Sequence, residues 1–85
     1  MAKNLAREFG PDNVRINCIA PGLVRTDFAK ALWENPENLK ASTAGACLGR
    51  IGEPHEISGA AIFLGSEASS FMTGQTITID GGVVV

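Results

Sequence analysis

Residues 15–26 read Arg-Ile-Asn-Cys-Ile-Ala-Pro-Gly-Leu-Val-Arg-Thr, and this stretch decides the fold. Every second residue before the proline is apolar or small, which predicts a strand over residues 14–20. The shared face of that strand consists of Val14, Ile16, Cys18 and Ala20. Pro21-Gly22 then ends it, since proline lacks the N–H that a sheet ladder needs. The sequence therefore predicts a strand that leads into a rigid turn, with the hydroxyl of Thr26 shortly beyond.

Helical patterns precede and follow this strand. Residues 1–9 read as the last turns of a helix, which Gly10-Pro11 closes. Thr26 or Asp27 is a candidate cap for a helix that reaches Trp33. A further helix is predicted from Pro36, which suits a first helical position, to about residue 46.

The second half of the chain predicts a longer helix and a second strand. Within residues 52–65, Pro54 suits the first helical position, and Glu53 and Glu56 complement the positive end of the helix dipole. The predicted buried face is Ile57, Ala60, Ala61 and Leu64. Residues 75–80 alternate threonine and isoleucine, which predicts a strand that ends at Gly81-Gly82.

The predicted order is helix tail, strand, lid helices, helix and strand. A strand, a crossover that contains a helix and another strand form a βαβ unit with parallel strands. Two parallel strands cannot cover both of their faces, so more strands are expected beside them. Residues 1–85 are therefore predicted to be a single partial domain, the C-terminal part of a Rossmann-like, doubly wound α/β sheet.

Composition excludes several classes of function. Seven Lys and Arg against nine Asp and Glu give a net charge of −2, which offers nothing to nucleic acid. The apolar runs are too short to span a membrane, and charged residues near the N-terminus argue against a secretory signal. We therefore predict a cytoplasmic protein in which Cys18 and Cys47 stay reduced. His55 is the only histidine and has no cysteine at ligand spacing, so no metal site is predicted.

Four signatures in the chain resemble the C-terminal part of the short-chain dehydrogenases/reductases. They are residues 5–9 (LAREF), 14–22 (VRINCIAPG, followed by Thr26), 49–57 (GRIGEPHEI) and 74–82 (GQTITIDGG). They occur in order over essentially the whole chain. The sequences of residues 23–28 (LVRTDF) and 31–33 (ALW) resemble the carbonyl-reductase-like branch of that family.

The resemblance implies an NAD- or NADP-dependent alcohol/carbonyl oxidoreductase as the full-length parent. By resemblance, Pro21 and Gly22 shape the wall against the nicotinamide ring, and the backbone of Val24 and the hydroxyl of Thr26 bond its carboxamide. Residues 27–45 would form the substrate lid. The apolar contacts of that lid would be Phe28, Leu32 and Trp33.

The same resemblance shows what these 85 residues lack. Family members carry a Gly-rich turn for the cofactor pyrophosphate and a Tyr-x-x-x-Lys pair for the chemistry. The chain contains no tyrosine, and its glycines do not form that turn. No catalytic residue is therefore assigned, and the isolated chain is expected to bind no cofactor and to be inactive. Met1 is either a natural start or a truncation.

Two further readings of the chain remain open. It could be a short interaction module without enzyme activity that forms homo-oligomers. By resemblance to family members, which use their last helix and strand in subunit contacts, the contacts would be the helix over residues 54–64 and the strand over residues 75–79. The apolar end, residues 83–85, would lie in such an interface. Alternatively, the loop over residues 21–26 could bind a small ligand on its own.

Several single residues also have a purely structural reading. Pro21-Gly22 out of context is a plain turn, and Asp80 before two glycines is a turn residue. The lid side chains could form a packed face instead of a substrate pocket. Arg15 and Asn17 are expected to satisfy local hydrogen bonds.

Overall fold

The computed structural model describes residues 1–83, which form a parallel α/β arrangement. The predicted place of the apolar end in an interface concerns residues 83–85, of which 84–85 lie outside the described residues. The strands lie next to each other in one sheet, so the predicted βαβ order is confirmed. The elements are α1 (Ala2–Phe9), β1 (Cys18–Pro21), α2 (Lys30–Trp33), α3 (Pro36–Thr43), α4 (Pro54–Leu64) and β2 (Thr76–Ile79). Short 3-10 helices at Gly10–Asp12 and Glu67–Ser69 follow α1 and α4.

The bounds of α4 follow from local signals, as predicted. Pro54 occupies the first turn, where its missing N–H has no intrahelical partner to lose. The carboxylate of Glu56 accepts a hydrogen bond from the backbone N–H of Glu53 at 3.0 Å. Gly65 follows the last residue. The predicted buried face is only partly covered: Ile57, Ala60 and Leu64 are half-buried and Ala61 is exposed, because only part of the helix packs on the strand pair.

The lid helices are shorter than the sequence predicted. Helix α2 has four residues and begins at Lys30, although Thr26 Oγ1 still accepts a hydrogen bond from the N–H of Ala29 at 3.3 Å. In α3, the Asn35 side chain caps the N–H of Glu37 at 2.8 Å. That helix ends at Thr43 and not near residue 46, because residues 46–48 turn to bond the segment after β2.

The sheet is parallel, with Cys18 opposite Thr76 and Pro21 opposite Ile79. Strand β1 begins at Cys18, so the prediction that it starts at residue 14 was wrong. Residues 14–17 lie before the first residue pair of the sheet, Cys18 with Thr76. Their polar groups form hydrogen bonds with the loop that precedes β2 instead. The Ile16 N–H donates to Thr73 Oγ1 at 3.0 Å.

A single arginine organises that loop. Arg15 donates five hydrogen bonds, to Ser69 O and Oγ, Met72 O, Leu64 O and Ser66 O, at 2.7 to 3.4 Å. Asn17 bonds Met72 O at 3.1 Å and accepts from the N–H of Gln75 at 3.0 Å. Both residues do satisfy hydrogen bonds, but the expectation that these are local was wrong, since the partners lie about fifty residues away. Together they fasten the exit of α4 to the start of β1.

The chain exposes more surface than a closed domain of its size. Its accessible area is 6159 Å², whereas a folded monomer of 8.9 kDa has about 4,800 Å². The radius of gyration is 15.5 Å, against about 12 Å for a compact domain of this length. The buried apolar residues of the described part are Ala2, Ala6 and Ile51. About 1,300 Å² of additional surface is therefore open to contact with something else.

Candidate functional site

The candidate site lies at the carboxyl end of β1, in the loop over residues 21–26. The Cys18 N–H bonds Gln75 O and the Gly22 N–H bonds Ile79 O, at 2.9 and 2.8 Å. Because N–H groups alternate in direction along a strand, the position of Pro21 points away from β2. Its missing N–H therefore removes no ladder bond, so Pro21 is the last residue of β1 and the prediction that the strand ends before it was wrong.

Gly22 is required by its neighbour across the sheet. A Cβ built on Gly22 would lie 2.7 Å from Asp80 Cα and 2.8 Å from Asp80 Cβ. Real Cβ atoms do not approach backbone atoms so closely, so any side chain would force the strands apart. Asp80 is itself a turn residue, as predicted, since its Oδ1 accepts a hydrogen bond from the Gly82 N–H at 2.9 Å. The Pro-Gly turn thus has a packing reason within the described residues.

The rest of the loop is held by the segment that leads into α4. The Gly52 N–H donates to Leu23 O at 3.0 Å, and the Arg25 N–H donates to Gly52 O at 2.8 Å. This bridge pairs Val24 with Gly52 in parallel. In such a bridge the N–H and C=O of Val24 point away from Gly52. Among residues 1–83 no hydrogen bond engages the Val24 N–H.

Thr26 lies at the outer end of the loop and is exposed. Its carbonyl accepts a hydrogen bond from Trp33 Nε1 at 2.8 Å. Its hydroxyl oxygen accepts from the Ala29 N–H, and within the described part of the chain the hydroxyl donates to no acceptor. Thr26 therefore presents a donor beside the unpaired backbone of Val24.

The three lid residues do not share one environment. Phe28 is fully exposed, and Leu32 is 51% exposed. Trp33 is half-buried, and its ring lies 5.1 Å from the guanidinium carbon of Arg25. Helices α2 and α3 are joined by hydrogen bonds from Asn38 Nδ2 to Ala31 O and from Ser42 Oγ to Leu32 O, at 3.4 and 3.3 Å. Phe28 and Leu32 thus lie at the surface, and Trp33 packs on the loop.

Two ion pairs flank the start of α4. Arg25 Nε lies 2.9 Å from Glu53 Oε1, and Arg50 forms a two-point pair with Glu56 at 2.8 and 2.9 Å. The hydrogen bond from Arg50, aided by the Glu53 N–H, lowers the pKa of Glu56 from 4.5 to about 2. The same hydrogen bond raises the pKa of Arg50. Glu56 therefore stays charged at neutral pH and acts as a structural partner of Arg50.

The cavity beside the loop is small. A volume of about 100 Å³ lies between the loop, α3, α4 and the end of β2, bordered by Val24, Thr43, Ile57 and Ile79 among others. Ligand pockets commonly measure about 300–1,000 Å³. The described residues also contain no group of three or more His, Cys, Asp or Glu placed to hold a metal ion. A second, more open cavity of about 380 Å³ borders Arg25, α3 and residues 49–51, so the loop lies between one small cavity and one open cavity.

The family assignment follows from comparison with known proteins. The family model described as enoyl-(acyl carrier protein) reductase matches residues 1–84. Dehydrogenase/reductase SDR family member 4 of Bos taurus is 46% identical over 82 residues, which is 96% of this chain and 29% of that protein. The chain belongs to the short-chain dehydrogenase/reductase family. The resemblance in its four signatures is thereby confirmed.

Other members of the short-chain dehydrogenase/reductase family match over the same extent. The 3-oxoacyl-(acyl-carrier-protein) reductase FabG of Chlamydia trachomatis is 49% identical over 84 residues, covering 96% of this chain and 32% of that protein. A solved structure of 4-hydroxyisoleucine dehydrogenase complexed with NADH superposes with a TM-score of 0.90 at 33% identity, over 95% of this chain and 33% of that one. The chain thus spans about a third of the length of its relatives, and its Rossmann-like fold is confirmed.

Three contacts of the site were not predicted from the sequence. They are the approach of Asp80 to Gly22, the pair between Arg25 and Glu53, and the stacking of Trp33 on Arg25. The partners in the first two contacts are far apart in the chain. The third had a signal, since an arginine eight residues before the only tryptophan fits a loop that folds back on itself. In the described part of the chain, no helix is long and apolar enough to cross a membrane.

Proposed function

We propose that this chain forms the nicotinamide-side wall and the substrate lid of an NAD(P)-dependent alcohol/carbonyl oxidoreductase. The observation that carries the proposal is the pairing of an unengaged Val24 N–H with an exposed Thr26 hydroxyl at the carboxyl end of β1. In open α/β sheets, ligands bind beyond that end of the strands. Two solved relatives carry dinucleotides by name, one complexed with NADH and the other an NADP complex of Pseudomonas aeruginosa RhlG.

The residues of the loop fit a carboxamide group. A carboxamide offers a carbonyl oxygen that accepts and an amide group that donates. The Val24 N–H and the Thr26 hydroxyl can donate to that oxygen, and the Val24 carbonyl can accept from the amide. Pro21 and Gly22, fixed by the bond to Ile79 O, hold the turn that precedes these groups. The dinucleotide, when bound, supplies or accepts the hydride.

The lid residues set the surroundings of the substrate. Phe28 and Leu32 expose apolar surface on the segment after Thr26. Covering them with an organic substrate removes water from the reacting groups, which strengthens electrostatic interactions there. The proton donor of the reaction is proposed to lie outside these 85 residues, since the chain holds no tyrosine. We therefore expect no turnover by the chain alone.

Complementation tests this assignment directly. The C. trachomatis FabG, with the 84 matched residues deleted, would be mixed or coexpressed with this chain. The readout is reductase activity on a 3-oxoacyl substrate with NADPH and with NADH. We expect activity only when both pieces are present. The Thr26→Val variant should lower it about two- to tenfold, the range for one lost hydrogen bond.

The matched control is Thr78→Val. Thr78 is exposed on β2 opposite Ala20, and the substitution removes a hydroxyl of the same kind. Equal activity of Thr26→Val and Thr78→Val would remove the assigned role of Thr26. Turnover by the chain alone would contradict its dependence on other residues.

A second candidate function is supported by the surface of α4. We propose as the alternative that the chain acts as an oligomerising module through α4 and the outer edge of β2. Ile62 on α4 is 72% exposed, and Phe71, between α4 and β2, is fully exposed. The accessible surface of the chain is larger than that of a closed monomer by about 1,300 Å². Light scattering after size-exclusion chromatography gives the mass. A sharp dimer or tetramer supports this function, and a monomer at all concentrations removes it.

A further inference from the structure

Arg25 joins three parts of the molecule that are separate in the sequence. Its N–H bonds Gly52 O at 2.8 Å, and its side chain bonds Glu53 at the start of α4 at 2.9 Å. The guanidinium carbon lies 5.1 Å from the centre of the Trp33 ring. Its side chain is 40% exposed, so it lies between the solvent and the loop.

Helix α2 depends on that contact. Four residues are too few to be stable as a helix in water. No side chain caps its start, and Phe28 and Leu32 are exposed. Trp33 is the residue of α2 that packs on the loop, with its ring on Arg25 and its indole N–H on Thr26 O. Two hydrogen bonds from α3 also hold α2, so the contact with Arg25 sets the position of α2 relative to the loop and not relative to α3.

The arginine is in turn oriented from its other side. Glu53 engages Nε at the edge of the guanidinium, and the guanidinium carbon lies over the indole ring. A planar guanidinium can hydrogen-bond along its edge and stack on an aromatic ring at the same time, whereas an ammonium cannot. Glu53 also precedes α4, so the ring position is tied to the start of that helix.

We propose that Arg25 is a positioning residue that holds α2 of the lid on the 21–26 loop and couples both to the start of α4. The contact does not depend on a cofactor. The name lid for this segment does rest on the proposed function. A shift of α4, for instance by assembly with another subunit, would then move Thr26 and the lid together.

The chain provides its own probe for this coupling. Trp33 is the only tryptophan, and there is no tyrosine, so intrinsic emission reports on α2 alone. We would measure the fluorescence anisotropy of Trp33 and its quenching by acrylamide in the purified chain, in whatever assembly it forms. The variants are Arg25→Met and Arg25→Lys. The matched control is Arg50→Met, because Arg50 has an ion pair of similar exposure but does not contact the ring.

We expect Arg25→Met to lower the anisotropy and to raise the quenching constant, because loss of one cation–π contact raises the population of conformers with a displaced ring about two- to fivefold. Arg25→Lys should fall between wild type and Arg25→Met, since it keeps the charge without the planar face. Arg50→Met should match wild type. Far-UV circular dichroism monitors folding, and if Arg25→Met is unfolded the comparison rests on Arg25→Lys.

Two outcomes overturn the proposal. One is unchanged anisotropy and quenching in both Arg25 variants. The other is an equal change in Arg50→Met, which would indicate general loosening. The complementation assay with Thr26→Val reports on the cofactor role separately. If complementation fails but the Trp33 signal changes in the Arg25 variants, the coupling stands and only the proposed function is removed.

Discussion

Gly22→Ala tests the packing of the candidate site most directly. The added methyl would lie 2.7 Å from Asp80 Cα and 3.2 Å from Asp80 O. Both atoms belong to the backbone of Asp80, directly after β2, so no flexible side chain can move aside. Overpacking of this kind costs about 1–3 kcal/mol. Displacement of the strand end also weakens the bond from Gly22 N to Ile79 O, which adds about 1 kcal/mol.

The expected loss in the free energy of unfolding is therefore about 2–4 kcal/mol. A domain of this length has about 4–13 kcal/mol in total, so the loss is a large fraction of it. The assay is urea unfolding followed by circular dichroism and by Trp33 emission. In thermal unfolding the same loss lowers Tm by roughly 10 °C or more.

Gly59→Ala is the matched control. Gly59 lies inside α4, and a Cβ there meets nothing within 4 Å. Alanine in a helix interior is better than glycine by about 0.5–1 kcal/mol, so this variant should be slightly more stable than wild type. If Gly22→Ala unfolds at the same urea concentration as wild type, Asp80 does not lie against Gly22 and the description of the site is refuted.

Three further predictions concern residues around the site. The folded-state pKa of Glu56 is about 2, below its ordinary 4.5, so its contribution to stability is complete above pH 4.5 and lost as the pH falls toward 2. In urea unfolding across this range, the free energy of unfolding of Glu56→Gln should decrease less steeply with falling pH than that of wild type. Arg15→Met removes a cation with five acceptors and should lower the free energy of unfolding by about 2–3 kcal/mol, whereas the exposed Arg7→Met should change it by less than about 0.5 kcal/mol. Cys47 is exposed and Cys18 half-buried, so a thiol reagent should give one fast and one slow phase, with the fast phase absent in Cys47→Ser.

Each of these has a contradicting result. Parallel acid curves for wild type and Glu56→Gln would show that its ion pair is absent in solution. Equal stability of Arg15→Met and Arg7→Met would show that Arg15 does not anchor the end of α4. A fast phase that survives in Cys47→Ser would place Cys18 at the surface.

The sequence predicted those elements whose signals are local. Helix α4 carries a proline in its first turn, an acidic pair before it and a glycine after it, and its bounds are as expected. Strand β2 has period-two alternation and a Gly-Gly end. The parallel pairing follows from their order along the chain. None of these depends on a residue far away in the sequence.

The errors arose where distant partners decide the structure. Residues 14–17 alternate like a strand, yet they form hydrogen bonds with the loop after α4 and not with β2. The Arg15 side chain donates to carbonyl groups of that region, including Leu64 O and Met72 O. No window of neighbouring residues contains that information. Arg25 is a similar case, since its partner Glu53 lies twenty-eight residues away. An arginine in a loop gives no sequence sign of which carboxylate it meets.

The packing of Gly22 also changes which residues can report on a cofactor. Family resemblance places Pro21-Gly22 against the nicotinamide ring, but Asp80 alone is sufficient to require glycine at that position. Loss of activity in Gly22→Ala would therefore not distinguish a damaged fold from a damaged binding site. The Val24 backbone and the Thr26 hydroxyl are different, because each carries a hydrogen-bonding donor that nothing in residues 1–83 uses. A substitution at Thr26 that lowers activity in the complemented enzyme while leaving urea unfolding unchanged would thus argue for cofactor contact more strongly than the Pro-Gly signature does.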